Sequence, residues 1–149
     1  MEGRTYRYFT GNVLYQFGYG LSYTHFKYTS GRLSTGMLRA GGSIAVCAEV
    51  KNVGDRDGDE TVEVYLIPKG IVGAPLRTLV GFEKVHLHKG ETKAVEVKIA
   101  PRQLSLVAPD GSRSVQPGDY ELYIGGSQPS QDAGVLLPFR IEGASALEP

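Results

Sequence analysis

Apolar residues at every second position, in short runs set apart by glycine and proline, leave this chain one kind of fold. SIAVCAEVKNV, residues 43–53, puts Ile44, Val46, Ala48 and Val50 on one side of an extended backbone, because successive side chains of a strand point to opposite faces. HFKYTSGRLS, residues 25–34, alternates likewise and turns Phe26, Tyr28 and Leu33 inward. In TVEVYLIP, residues 61–68, Val62, Val64 and Leu66 alternate with Glu63 and Tyr65. LVGFEKVHL, residues 79–87, and ETKAVEVKIA, residues 91–100, continue the pattern, the latter through Val95, Val97 and Ile99. PGDYELYIGG and GVLLPFRIE supply two final strands.

Helical periodicity is almost absent. The chain's 20 glycines and 8 prolines fall between the runs, where turns need them. GDRDGDE, residues 54–60, is expected to turn a hairpin between the strands that flank it, and HKG, residues 88–90, a second turn. PRQLSLV, residues 101–107, is expected to make a short helical turn crossing between sheets. SQPSQDAG, residues 127–134, is expected to be a polar loop. About seven strands result, as an all-β, immunoglobulin-like antiparallel sandwich requires. Tyr120, just after Pro117 and Gly118 at the start of the penultimate strand, stands where a tyrosine corner bonds back to upstream backbone.

Composition removes several function classes. Lys and Arg total 16, as do Asp and Glu, and no basic run interleaves with aromatics, so the electrostatic footprint of a nucleic-acid binder is missing. No apolar stretch is long enough to span a membrane. The single cysteine, Cys47, excludes an intramolecular disulfide and, within SIAVCAEV, reads as a small core residue. That leaves the compartment open. Met1 followed directly by EGRTYRYF reads as an artificial start on a piece of a longer protein, whose export signal would lie upstream.

No catalytic constellation stands out. Asp55, Asp57 and Asp59 alternate as in the loop of a helix-loop-helix calcium site, but Glu60 stands where that loop needs glycine and Leu66 where it needs glutamate. A solvated turn is the simpler reading. His86 and His88 share a strand face, yet no third ligand is near them in sequence and His25 stands alone, so no metal or other cofactor is expected. No serine occupies a glycine-framed elbow. The acids fall in turns or on outward strand faces, where solvation is expected, and no pair is singled out for the two-carboxylate chemistry of sugar hydrolysis.

YQFGYGLSYTHF, residues 15–26, holds five aromatic rings and two glycines, and residues 1–22 fit no strand of the sandwich. Together with RTYRYFTGNV before it, VKNVGDRDGDETVEVYLIP, PLRTLVGFEKVHLHKGETKAVEVKI, PRQLSLV and VQPGDYELYIGGS after it, this run resembles the C-terminal portion of glycoside hydrolase family 3 enzymes. These are β-glucosidases, β-xylosidases and relatives. The resemblance extends from about residue 4 to about residue 142 and implies a fibronectin type III-like domain with the junction segment that precedes it. It also implies that a barrel domain supplies the nucleophile and an α/β sandwich domain commonly the acid/base, neither of them in this chain.

Residues 1–23 are then the tail of the preceding domain and the junction, 24–143 the β-sandwich and 144–149 a disordered tail. The resemblance makes Tyr15, Phe17, Gly18, Tyr19, Gly20, Leu21 and Tyr23 the interdomain interface, with the two glycines letting backbone turn sharply or lie close to a neighbour. Gln16 departs from the proline usual in the family, which implies a less rigid junction. TYRYF with LYQFGYGLSYT resembles bacterial β-xylosidase-like members more than the typical β-glucosidase. The expected function is a non-catalytic accessory domain whose partners are the parent enzyme's catalytic domains, in a secreted or periplasmic retaining glycosidase. Without its partner domain, the segment 1–22 is expected to be mobile, to fold back on the sandwich or to self-associate. A carbohydrate-binding module, contacting glycan through exposed tyrosines, and a protein-interaction sandwich are the alternatives.

Overall fold

The computed structural model describes residues 5–8, 10, 24–127, 129 and 134–147. Seven strands of eight or more residues form the frame: β1 (Phe26–Leu33), β3 (Ile44–Asn52), β4 (Gly58–Lys69), β5 (Thr78–Leu87), β6 (Thr92–Ile99), β9 (Gly118–Gly125) and β10 (Val135–Glu142). Four short strands join them: β2 (Met37–Arg39), β7 (Leu106–Val107), β8 (Arg113–Val115) and β11 (Ser145–Leu147). One sheet has the order β1-β3-β6, the second β2-β10-β9-β4-β5, and a small third sheet β11-β8-β7. All pairs are antiparallel except β2 with β10. The expected all-β sandwich is the fold.

Alternation decides what is buried. Ile44, Val46, Ala48 and Val50 of β3 and Val95, Val97 and Ile99 of β6 face Val62, Val64 and Leu66 of β4, Leu122 and Ile124 of β9, and Phe139 and Ile141 of β10 in one apolar core. At ~25 cal/mol per Å² of apolar surface, this layer is the main source of stability. β1 keeps Tyr28 in the core while a bulge between Thr29 and Arg32 resets its register, and Ser30 there takes a positive φ of 55°. The Tyr120 hydroxyl donates to the Gln116 carbonyl at 2.7 Å, as a tyrosine corner requires. Its ring stacks on Phe139 with centroids 5.6 Å apart, and burial pushes its hydroxyl up to about 12. The expected helical turn is a 3₁₀ turn, Pro101–Leu104, seated by the buried Leu104.

Two expectations are corrected. Residues 54–60 do not close a hairpin, because both edges of β3 are already occupied by β1 and β6. β4 instead lies between β5 and β9 in the other sheet, so this turn carries the chain across the sandwich. The C-terminal end is not frayed at residues 145–147, which pair with β8 as β11. No helix among the described residues is long and apolar enough to cross a membrane.

Candidate functional site

The outer face of the five-stranded sheet departs from the polar surface that alternation predicts. Glu63 and Tyr65 point away from the core, yet Glu63 is 8% exposed and Tyr65 is fully buried. Tyr123, opposite Tyr65 in register, is buried with them. The Tyr65 hydroxyl donates to Glu63 Oε2 at 2.6 Å, and burial holds the Glu63 carboxyl above the ordinary carboxylate range against the opposing effect of that bond.

Residues 5–8 lie across this face. The Tyr6 ring meets Tyr65 edge-on, with centroids 6.2 Å apart, a favoured aromatic geometry. The Leu79 N–H donates to the Tyr6 hydroxyl at 3.3 Å, and Arg77 Nη1 donates to the Tyr6 carbonyl at 2.7 Å. The Leu76 N–H donates to the Arg7 carbonyl at 2.7 Å, and Arg7 Nη2 to Thr78 Oγ1 at 3.2 Å. The start of β5 is thereby strapped by chain that belongs to no strand of the sandwich. Beside the strap, Arg7, Tyr8, the loop from Ile71 to Pro75 and the β7–β8 region line a surface cavity of about 530 Å³.

The next described stretch of chain begins at a second anchor. Thr24 Oγ1 donates to Asn52 Oδ1 at 2.7 Å; Asn52 is fully buried and donates through Nδ2 to the Arg56 and Leu87 carbonyls at 2.7 and 3.1 Å. Asn52 Oδ1 also accepts the Gly54 N–H at 3.1 Å. A buried amide is tolerated only when so completely bonded. Gly54 is required by this anchor, since a Cβ there would lie 1.8 Å from Thr24 Oγ1. The strap therefore grips the β5 end at Thr78, and Thr24, through Asn52, the opposite end at Leu87.

The expected interface residues Tyr15, Phe17, Gly18, Tyr19, Gly20, Leu21 and Tyr23 lie outside the described residues. The expectation that all acids are solvated is corrected at Glu60 and Glu63. Glu60 points between the sheets, accepts the Tyr28 hydroxyl at 2.9 Å, and burial raises its carboxyl as well. Three positions apart on one strand, the two acids face opposite sides of the sheet, so they form no pair flanking a common bond. Neither the cavity beside Arg7 nor one near β5 and β6, lined by Leu79, Phe82, Lys98 and Gln103, contains a carboxylate. Every described tyrosine is buried or half-buried, so none of these six presents an exposed ring for stacking on a sugar.

The structure also corrects the missing third ligand. Asp57 reaches His86 and His88 across the β4–β5 ribbon, a neighbour that spacing along the chain could not reveal. Cross-strand register was the only signal, and it was hidden by the hairpin assigned to the wrong strands.

Comparison with known proteins places these features. A family model described as a fibronectin type III-like domain matches residues 60–128. A β-xylosidase of Formosa agariphila is 37% identical over 128 residues, covering 85% of this chain and 18% of that protein. β-Glucosidase B of Emericella nidulans is 39% identical over 117 residues, covering 77% of this chain and 14% of that protein. Among solved structures, a β-glucosidase from Erythrobacter marinus superposes with a TM-score of 0.78 at 29% identity, over 90% of this chain and 18% of that one. The chain spans less than a fifth of the length of these relatives. Matching both a xylosidase and a glucosidase at similar identity, with a sandwich and tyrosine corner to suit, the chain belongs with the fibronectin type III-like segments of family 3 β-xylosidases and β-glucosidases.

Proposed function

We propose that this chain is a non-catalytic accessory domain that stabilises the catalytic domains of a family 3 β-glucosidase or β-xylosidase and helps to shape the active-site entrance. The observation that carries the reading is the strap of residues 5–8 over the buried Tyr65 and Glu63. Chain arriving from outside the sandwich is seated on one sheet face, where a preceding domain would follow it. Exposed Phe82 and Leu136, at 66% and 50%, lie in register with Glu63 and Tyr123 on that face and offer apolar area for the same contact. Interdomain seams typically bury ~600 to 1,500 Å². Residues 1–23 would form the junction, and Tyr15, Phe17, Tyr19, Leu21 and Tyr23 would fill the seam.

The separation of Glu60 from Glu63 supports hydrolysis by other domains, since retaining cleavage needs two carboxyl groups facing one bond about 5 Å apart. The 149-residue chain should give no turnover of aryl β-glucosides or β-xylosides. Turnover abolished by Glu60→Gln or Glu63→Gln would overturn the reading. In the full-length parent, Phe82→Asp with Leu136→Asp should shorten the half-life of activity at elevated temperature, and an unchanged half-life would remove the stabilising role.

A further inference from the structure

The β4–β5 ribbon brings four metal-ligating side chains to one end of the sandwich. Asp59 stands opposite His86 in register, and Asp57 lies against His88, with Oδ2 3.1 Å from Nδ1. Leu87 between the two histidines is buried, so both imidazoles project outward on the same side. Their rings are nearly perpendicular, at 88°, with centroids 5.2 Å apart. One donor atom from each of Asp57, His86 and His88 lies within 4.8 Å of the others.

We propose that Asp57, His86 and His88 bind one divalent transition cation, of which Zn²⁺ is the type, with water completing its coordination. Two imidazoles and a carboxylate are borderline donors that suit zinc, nickel or copper; calcium and magnesium prefer oxygen ligands alone. Zinc bonds of ~2.0 to 2.2 Å place tetrahedral donors about 3.3 to 3.5 Å apart. Asp57 and His88 already stand at nearly that spacing, and His86 has to close by only about 1 to 1.5 Å. Its side chain is 54% exposed and free of core packing, so torsional adjustment suffices.

The surrounding bonds hold the ligands ready. Asp57 Oδ1 accepts the Lys89 N–H at 2.7 Å, which leaves Oδ2 turned toward the histidines. The His88 N–H donates to Glu91 Oε1 at 2.9 Å, and Lys93 Nζ donates to the His86 carbonyl at 2.6 Å, fixing the backbone of both ligands. Asp59 Oδ1 lies 2.6 Å from His86 Nδ1. A carboxylate on one ring nitrogen orients an imidazole and leaves the other, Nε2, to ligate. The site is independent of the accessory-domain reading, since it uses only residues of the sandwich.

Titration of the untagged, metal-stripped 149-residue chain with ZnCl₂, followed by calorimetry and by histidine ring NMR, tests the proposal. Saturable one-to-one binding is expected, with shifts in the rings of His86 and His88 and none in that of His25. His86→Ala and His88→Ala should each weaken binding at least ~10-fold, comparable to or beyond the loss from disturbing an outer ligand partner. Asp57→Asn preserves the side-chain shape and should also weaken it, whereas His25→Ala should not. All these side chains are exposed, and far-ultraviolet circular dichroism verifies that each variant folds. Absence of saturable Zn²⁺ binding up to millimolar concentration, or binding unaltered by His86→Ala and His88→Ala, would overturn the assignment.

Discussion

Two glutamates of β4, each bonded by a tyrosine, use the same chemistry in opposite settings. Tyr28 and Glu60 meet at 2.9 Å between the two sheets; Tyr65 and Glu63 meet at 2.6 Å on the outer face. In both, burial is the leading influence on the carboxyl and raises it. The inner pair joins β1 to β4 and is enclosed by the sandwich itself. The outer pair lies beneath Tyr6, a residue that belongs to no strand of the sandwich. A strand face that looks solvent-directed can therefore be an interior, provided another piece of chain covers it.

If the inner region stands alone and the outer one does not, substitutions should divide between them. Leu122→Ala in the fully buried core should cost about 2 to 5 kcal/mol in urea unfolding, equally in the full chain and in a variant limited to residues 24–149. Gly54→Ala drives a methyl into Thr24 and against the His25 backbone nitrogen, 2.8 Å away, and should cost about 1 to 3 kcal/mol as overpacking, only partly relieved in a Thr24→Ala background because the backbone contact remains. Tyr28→Phe leaves the half-buried Glu60, and Tyr65→Phe the buried Glu63, short of a donor, at about 1 to 3 kcal/mol each. The Tyr28 cost should persist in residues 24–149, whereas the Tyr65 cost should shrink once Glu63 reaches water.

The smallest effect is that of pH. A carboxyl raised by burial contributes stability that is full below its unfolded value, near the 4.5 of a free glutamate, and lost as pH rises through the folded value. Relative to Glu60→Gln and Glu63→Gln, the parent sequence should thus weaken as pH rises above about 4.5. Removing residues 1–23 should flatten the difference for Glu63 and leave that for Glu60, as urea midpoints measured across this range would show.

The long strands were legible because burial repeats every second residue. Val46, Val64 and Val97 announce their faces without reference to anything distant, and Tyr120 is marked by its glycine and proline neighbours. Sheet membership was not legible: β3 and β4 alternate equally well whether paired with each other or with other strands. Strands of two or three residues, such as Leu106–Val107 and Ser145–Leu147, are too short to show a period. Glu63 and Tyr65 read as outward, which they are, but cover by Tyr6 is a contact across most of sixty residues. A separation of about half that, 31 residues from Asp57 to His88, hid the meeting of Asp57 with His86 and His88. In each case the missing information was which segments are neighbours in space.

Hydrogen exchange tests most directly whether the sandwich is self-sufficient and its outer face is not, by comparing residues 24–149 with the full chain. Amides of Ile44–Asn52 and Thr92–Ile99 should keep their protection, while those of Leu76 and Leu79, whose acceptors are the Arg7 carbonyl and the Tyr6 hydroxyl, should lose theirs. Loss of protection throughout both sheets, or unchanged protection at Leu76 and Leu79, would contradict it.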